Sequence, residues 1–167
     1  MNIHKLDKLL NPRRIALIGV TINPNSVGGK VLGNLVGGGF RGVVYPVSST
    51  AEAILGVPCY PDLQSLPHKP DMAIVCTPAG QVPDIVERCG EFGIRGVIIM
   101  SAGFKETGEE GLALENRIKE TLAKYEDMRV LGPNCLGIIV PGLSLNASFG
   151  EGMPSKGNVA FISQSGA

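Results

Sequence analysis

The sequence has no tryptophan, only three tyrosines and five phenylalanines, and no excess of charge: 15 Lys and Arg face 15 Asp and Glu. No basic run or patch stands out, which argues against a nucleic-acid or anionic-membrane surface. No apolar run approaches the roughly 20 residues of a membrane-spanning helix. The start, Met1-Asn-Ile-His-Lys-Leu-Asp-Lys8, lacks the pattern of a secretory signal. A cytoplasmic protein with no membrane or nucleic-acid partner is the expectation. Cys59, Cys76, Cys89 and Cys135 form no CxxC pair and no metal-ligand spacing with the two histidines, so no metal site is expected. Cys76 and Cys89 sit in apolar patterns and read as plain core residues. Glycine is abundant instead, 23 of 167 residues. That suits a sheet with many tight strand-to-helix turns, at a length that fits one α/β domain.

The stretch Ile15-Ala-Leu-Ile-Gly-Val-Thr-Ile-Asn-Pro-Asn-Ser-Val-Gly-Gly29 sets the theme. Four apolar residues, Ile15 to Ile18, read as a strand buried on both faces. Gly19 and a polar turn follow, then a helical pattern carried by Val27, Val31, Leu32, Leu35 and Val36. A strand, a glycine turn and a helix N-terminus make a site for anionic phosphates, because the first helical N–H groups are unpaired and the helix dipole favours negative charge there. The same residues also suit a plain tight turn between packed elements. Gly28 is expected to leave room for the phosphate approach.

Ile3, Leu6, Leu9 and Leu10 stand at helical spacing ahead of Asn11-Pro12 and predict a short helix over one end of the sheet. Gly37-Gly-Gly39 ends the first long helix, and Gly42 to Val47 reads as a second strand. Leu55 to Tyr60 is a short extended piece that Pro58 and Pro61 confine to an edge or connector. Asp71 to Cys76 is another uncharged strand, followed by a helix opening at Thr77-Pro78 and stopped by Gly93. Arg95 to Met100 is the next strand. Thr107 and Glu110 have the spacing of a capping box for a helix with Leu114, Ile118, Leu122 and Tyr125 on its buried face, and Arg129 to Leu131 is a last short strand.

This alternation predicts an α/β, Rossmann-like, doubly wound and mostly parallel sheet with helices on both faces. Ligands on such sheets bind beyond the C-terminal ends of the strands. The expected site therefore lies on the loops Gly19 to Gly28, Ser48 to Thr50, Thr77-Pro78, Ser101 to Phe104 and Gly132 to Cys135. The expected organisation is one domain over 1–141, an irregular linker over 142–157, and over 158–167 the start of a second domain, where an apolar strand runs into a serine-glycine turn. The chain reads as one domain of a longer protein.

A nicotinamide or flavin dinucleotide is the first ligand to weigh. From Gly19, the positions two and five further on are Thr21 and Pro24, so there is no GxGxxG. Pro46-Val-Ser-Ser-Thr50 offers no carboxylate for a ribose hydroxyl. Five motifs carry a resemblance instead: Gly19 to Gly28, Gly39-Phe-Arg-Gly-Val-Val-Tyr-Pro-Val47, Ser101-Ala-Gly-Phe104, Leu131-Gly-Pro-Asn-Cys-Leu-Gly137 and Phe161-Ile-Ser-Gln-Ser-Gly166. In that order they resemble the coenzyme A-binding domain of the NDP-forming acyl-CoA synthetases. The chain looks most like the α part of ADP-forming acetyl-CoA synthetase, and more distantly like succinyl-CoA synthetase α. The Gly-Pro-Asn-Cys loop and the terminal Ser-Gln-Ser-Gly are the most specific of the five.

The resemblance implies that CoA, free or as acyl-CoA, is held by Gly19, Thr21, Asn23, Ser26, Val27 and Gly28 at its diphosphate, with Ser26 as a side-chain donor. Ser48 and Thr50 would face it from the second strand. Thr77, Pro78, Ser101, Ala102, Gly103 and Phe104 would line the nucleotide and pantetheine path, and Pro133, Asn134 and Cys135 would lie near the thiol end. Cys135 reads equally as a small loop residue, so no catalytic residue is assigned. The family commonly has Val-Asn-Pro-Lys after the second strand, and Thr50 stands here in place of that lysine. The family's phosphohistidine falls in the next domain. His4 and His68 do not match it, and both are assigned to the surface. The resemblance thus implies an acid–thiol ligase in which ADP or ATP and Mg are handled by the remaining synthetase domains or an ATP-grasp β subunit. This chain alone would bind CoA without catalysis, and an oligomer is compatible with that. The alternatives are a CoA-sensing regulatory domain of a protein lysine acetyltransferase, since the same domain occurs there, and an NAD-binding Rossmann domain.

Overall fold

The computed structural model describes residues 6–164. His4, Ser165 and Gly166, on which parts of the expected pattern rest, lie outside the described residues. In chain order the elements are α1 (Asp7–Leu10), β1 (Arg14–Ile18), α2 (Val27–Gly37), β2 (Val43–Val47), β3 (Ala53–Ile54), β4 (Val57–Pro58), β5 (Met72–Val75), α3 (Val82–Phe92), β6 (Gly96–Ile99), α4 (Glu109–Lys124), β7 (Arg129–Leu131), β8 (Gly137–Val140) and β9 (Leu145–Ser148). Five strands form one parallel sheet in the order β2-β1-β5-β6-β7. This is the doubly wound sheet the pattern predicts. No helix among the described residues is long and apolar enough to cross a membrane.

The three central strands show why their sequences carry no polar alternation. Ala16 and Ile18, Ala73 and Val75, Val97 and Ile99 point to one face, where Val82, Val86 and Cys89 of α3 and Ile118 of α4 close the core. Ile15 and Leu17, Met72 and Ile74, Ile98 and Met100 point to the other, under Leu9 of α1 and Val31, Leu32 and Leu35 of α2. With successive side chains on opposite faces and helices over both, every position must be apolar. Gly93 ends α3 in the left-handed conformation at φ +82°, where a side chain would be strained.

Three expectations are corrected. The first half of the expected linker is part of the fold: β8 and β9 pair antiparallel, Gly137 against Ser148 through Val140 against Leu145. Leu145 and Ala147 are fully buried in the core beside α2. The polar side chains of β9 give its sequence the composition of a linker, yet they are buried as well. Ser148 Oγ donates to Asn146 Oδ1 (2.6 Å), while Asn146 Nδ2 donates to the carbonyl of Gly152 (2.9 Å) and Asn34 Nδ2 of α2 to those of Ser148 and Gly150 (2.8 and 2.9 Å). Buried polar groups satisfied in this way cost little. Second, Thr107 and Glu110 make no capping box. Gly108 is the N-cap of α4 with no side-chain cap bond, and the Thr107 hydroxyl donates backwards to the Phe104 carbonyl at 2.8 Å. Third, residues 158–164 form no strand. Val159, Phe161 and Ile162 are 93%, 90% and 94% exposed, since among the described residues no neighbouring strand pairs with them.

Asp71 ties the N-terminal edge together. Its carboxylate accepts from Lys8 Nζ of α1 (2.7 Å) and from the N–H groups of Arg13 (3.0 Å) and Arg14 (3.1 Å) as β1 begins. Burial alone would raise its pKa, but the Lys8 and backbone bonds together hold it below the ordinary 3.8. A carboxyl lowered by folding stabilises the fold at pH values above its unfolded pKa. That contribution is lost as pH falls through the folded value. Urea midpoints are therefore expected to drop below pH 3.8, and an Asp71→Asn variant, weaker at pH 7, should lose less over that interval. Leu145→Ala is expected to cost about 2–5 kcal/mol in urea unfolding, whereas a mere linker residue would leave stability unchanged.

Candidate functional site

In the sheet order β2-β1-β5, the chain leaves β1 for β2 on one side and later returns to β5 on the other. Beyond the C-terminal ends of β1 and β5 this leaves a crevice. A cavity of about 660 Å³ occupies it, within the size range of small-molecule sites. Its walls are the loop after β1 (Gly19 to Thr21), the loop after β2 (Ser48 to Thr50), Cys76 to Pro78 after β5, Pro61 to Gln64, and one face of α3 carrying Gln81, Asp84, Ile85 and Arg88.

The loop after β1 approaches its neighbours closely. Gly19 has φ +84°, and a Cβ on it would lie 2.7 Å from Thr77 Cγ2 and 2.9 Å from the backbone of Cys76 and Thr77. Gly28 is buried, and its Cβ would stand 3.0 Å from both Gly19 O and Val20 Cα. The space at Gly28 is thus taken by this chain's own backbone and not left for a phosphate, which corrects the expectation. The missing Cβ lets α2 pack on the end of β1.

Ser26 is also corrected. It is the N-cap of α2: its Oγ accepts from Gly29 N at 3.0 Å and donates to the Asn23 carbonyl at 2.7 Å, with Thr21 Oγ1 3.0 Å away. One hydroxyl carries one proton, so Ser26 serves the helix and has no donor left for a ligand. Asn23 Oδ1 likewise accepts from Asn25 N at 2.9 Å. With Gly29 capped and Lys30 N bonded to Ser26 O, the first-turn N–H groups of Val27 and Gly28 have no intrahelical partner. Val27 itself is exposed.

The cavity brings together Gly19, Thr21, Ser48, Thr50, Thr77 and Pro78 of the expected residues. Ser48 Oγ and Thr50 Oγ1 lie 3.4 Å apart. The loops after β6 and β7 line the same sheet edge but not this cavity. Ser101 Oγ donates to the Thr77 carbonyl at 2.6 Å, and Asn134 N donates to the Ser101 carbonyl at 2.9 Å, so these two residues stitch the edge together. Gly103 N donates to Glu106 Oε1 at 2.7 Å, while Ala102 is exposed and Pro133 half-buried. Phe104 is fully buried in the core with α3 and α4, which corrects its place among the ligand-facing residues. It is the one large apolar side chain of its loop, and the core takes it.

Cys135 Sγ lies 3.2 Å from the Ile99 carbonyl, and burial raises its pKa. Burial pushes Cys76 up to about 12, with Cys135 adding to it, and Cys89 up to about 12. These thiols stay protonated at neutral pH and lack the thiolate a nucleophile needs. His68 is exposed.

One group in the cavity wall has no partner. Thr77 Oγ1 is buried and makes no hydrogen bond among the described residues, a state that costs free energy until a ligand or water satisfies it. The pattern missed Asp62, Gln64, Gln81, Asp84 and Arg88. For the last three a signal existed, since they share one polar face of the helix opening after Pro78. For Asp62 and Gln64 there was none, because their position depends on Tyr60 pairing beside Val47 on the outer edge of β2.

A parallel doubly wound sheet with a crevice at its switch point defines the architecture of a nucleotide-type binding domain. Residues 13–141 match the family described as "CoA binding domain", and the chain belongs to that family. It is 45% identical over 163 residues to the protein named acetate–CoA ligase [ADP-forming] II subunit alpha of Pyrococcus furiosus, covering 97% of this chain and 35% of that one. Over 162 residues it is 41% identical to acetate–CoA ligase [ADP-forming] I of Archaeoglobus fulgidus, covering 97% of this chain and 23% of that one. A solved structure of a Ca. Korarchaeum cryptofilum acetyl-coenzyme A synthetase 1 with phosphate and ADP superposes with a TM-score of 0.90 at 40% identity, covering 96% of this chain and 34% of that one. The chain thus spans about a quarter to a third of the length of these relatives.

Gly28→Val is expected to lower stability by about 1–3 kcal/mol, the usual cost of overpacking, together with any loss of ligand binding. Urea unfolding checks this; an unchanged midpoint would show that the space beside Gly19 is free.

Proposed function

We propose that this chain is the CoA-binding part of an ADP-forming acyl-CoA synthetase, with CoA seated in the switch-point crevice. The observation that carries this reading is the crevice itself, in a member of the CoA-binding family. Its wall carries the hydroxyl residues Thr21, Ser48 and Thr50, and behind that wall Gly28, at the start of α2, packs on Gly19 and Val20. The hydroxyls suit an anionic nucleotide-like ligand. The N–H groups of Val27 and Gly28 would hold the diphosphate, and the helix dipole would favour its charge. Thr21, Ser48 and Thr50 would offer neutral donors. Ser101 and Asn134 would keep the sheet edge in shape along the pantetheine path. When bound, CoA supplies a thiol that accepts an acyl group as a thioester.

The relatives named above are ligases, which favours this reading over an acetyltransferase regulator. Their greater length supports further synthetase domains, or an ATP-grasp β subunit, as the place where ADP, phosphate and the phosphohistidine are handled. A cytoplasmic location fits a CoA- and nucleotide-dependent reaction.

Titration calorimetry with CoA and NAD tests the reading. CoA is expected to bind at least about tenfold tighter, since the end of β2 offers no carboxylate for the ribose of NAD, a contact worth about 1.5–3 kcal/mol. A preference for NAD would overturn it.

A further inference from the structure

Beyond that reading, and resting on it, the geometry points to Arg88 of α3 as the residue that recognises the 3′-phosphate of CoA and separates CoA from its dephosphorylated form. CoA carries a diphosphate and a separate phosphate monoester. The N-terminus of α2 supplies partial charge for one phosphate group. A monoester dianion is best met by a full cation, and a guanidinium offers it paired donors. Arg88 is the one Lys or Arg among the residues that line the crevice. The loop beside β2, Ser48 to Thr50, contributes hydroxyls only.

Arg88 is placed for this by its helix. Gln81, Asp84, Ile85 and Arg88 recur at the spacing of one helical face toward the cavity, while Val82, Val86 and Cys89 hold the opposite face in the core. Two carboxylates share the wall, and each is already engaged. Asp84 Oδ1 receives Arg117 Nη2 of α4 at 2.6 Å. Asp62 Oδ1 receives the hydroxyl and N–H of Ser65 at 2.7 and 2.8 Å, and the charge of Arg88 reaches it as a weaker influence. Among the described residues the Arg88 guanidinium makes no salt bridge and no hydrogen bond. Its charge is available to an anion, with Asp62 within weak electrostatic reach.

Calorimetric titration of the chain and its variants with CoA and with dephospho-CoA tests the assignment. The unaltered chain is expected to favour CoA by about tenfold or more, the worth of a well-formed charge-assisted contact. Arg88→Ala should bring that ratio close to one while leaving the dephospho-CoA affinity as it was, and Arg88→Lys should keep part of it. Asp62→Asn, which removes the competing carboxylate, should raise the ratio. A ratio near one in the unaltered chain, or an Arg88→Ala variant that weakens both ligands equally or neither, overturns the role of Arg88. Failure of the unaltered chain to bind either ligand overturns the CoA reading itself, and this inference with it.

Discussion

At the end of β1 the chain turns through Gly19 at φ +84°, so close to the loop after β5 that a Cβ would meet both the side chain and the backbone of Thr77. On its other side the same loop presses against Gly28 at the start of α2. Two glycines therefore set how near a strand, a helix and a neighbouring loop come to one another. That approach has consequences for chemistry. Gly19 and Thr77 both line the cavity of about 660 Å³, and α2 starts behind that wall, where Gly28 packs on Gly19 and Val20. Bulk at either position would push these surfaces apart.

The helix that starts behind this wall, α2, is secured along its length. Ser26 caps its first turn, and Val31, Leu32 and Leu35 bury it against the sheet. From outside, β9 lies across it with Leu145 and Ala147 in the core. Asn34 then receives no freedom to move, since its amide holds the carbonyls of Ser148 and Gly150. Networks of this kind rigidify when every member is satisfied.

Much of the fold was legible. Ile15 to Ile18, Met72 to Val75 and Val97 to Ile99 carry no charge because both faces of each strand are covered. The breaks at Gly39 and Gly93 were legible as well, and both adopt positive φ. The strand β9 was not. Leu145-Asn-Ala-Ser148 alternates apolar and polar residues as a half-exposed strand would, but sits among glycines, and its polar members are buried through bonds to groups elsewhere in the fold. Beyond the C-terminal ends of the strands, the loops after β1, β2 and β5 line the crevice, while those after β6 and β7 do not. Ser26, Gly28 and Phe104 each have a side or a space that could face a ligand, and each is taken by the chain itself.

Local pattern by itself determined the alternation of strand and helix, the apolar faces and the points where helices stop. All of these follow from residues within a few positions of one another, through backbone preference and side-chain periodicity. Only the tertiary structure decided what the crevice contains. Placing Arg88 and Asp62 on one wall requires β1 to lie between β2 and β5, pairing Ile15 with Val44 on one side and Met72 on the other. Those pairings join residues far apart in the chain, and they are chosen by the joint burial of both faces of the sheet rather than by any one segment.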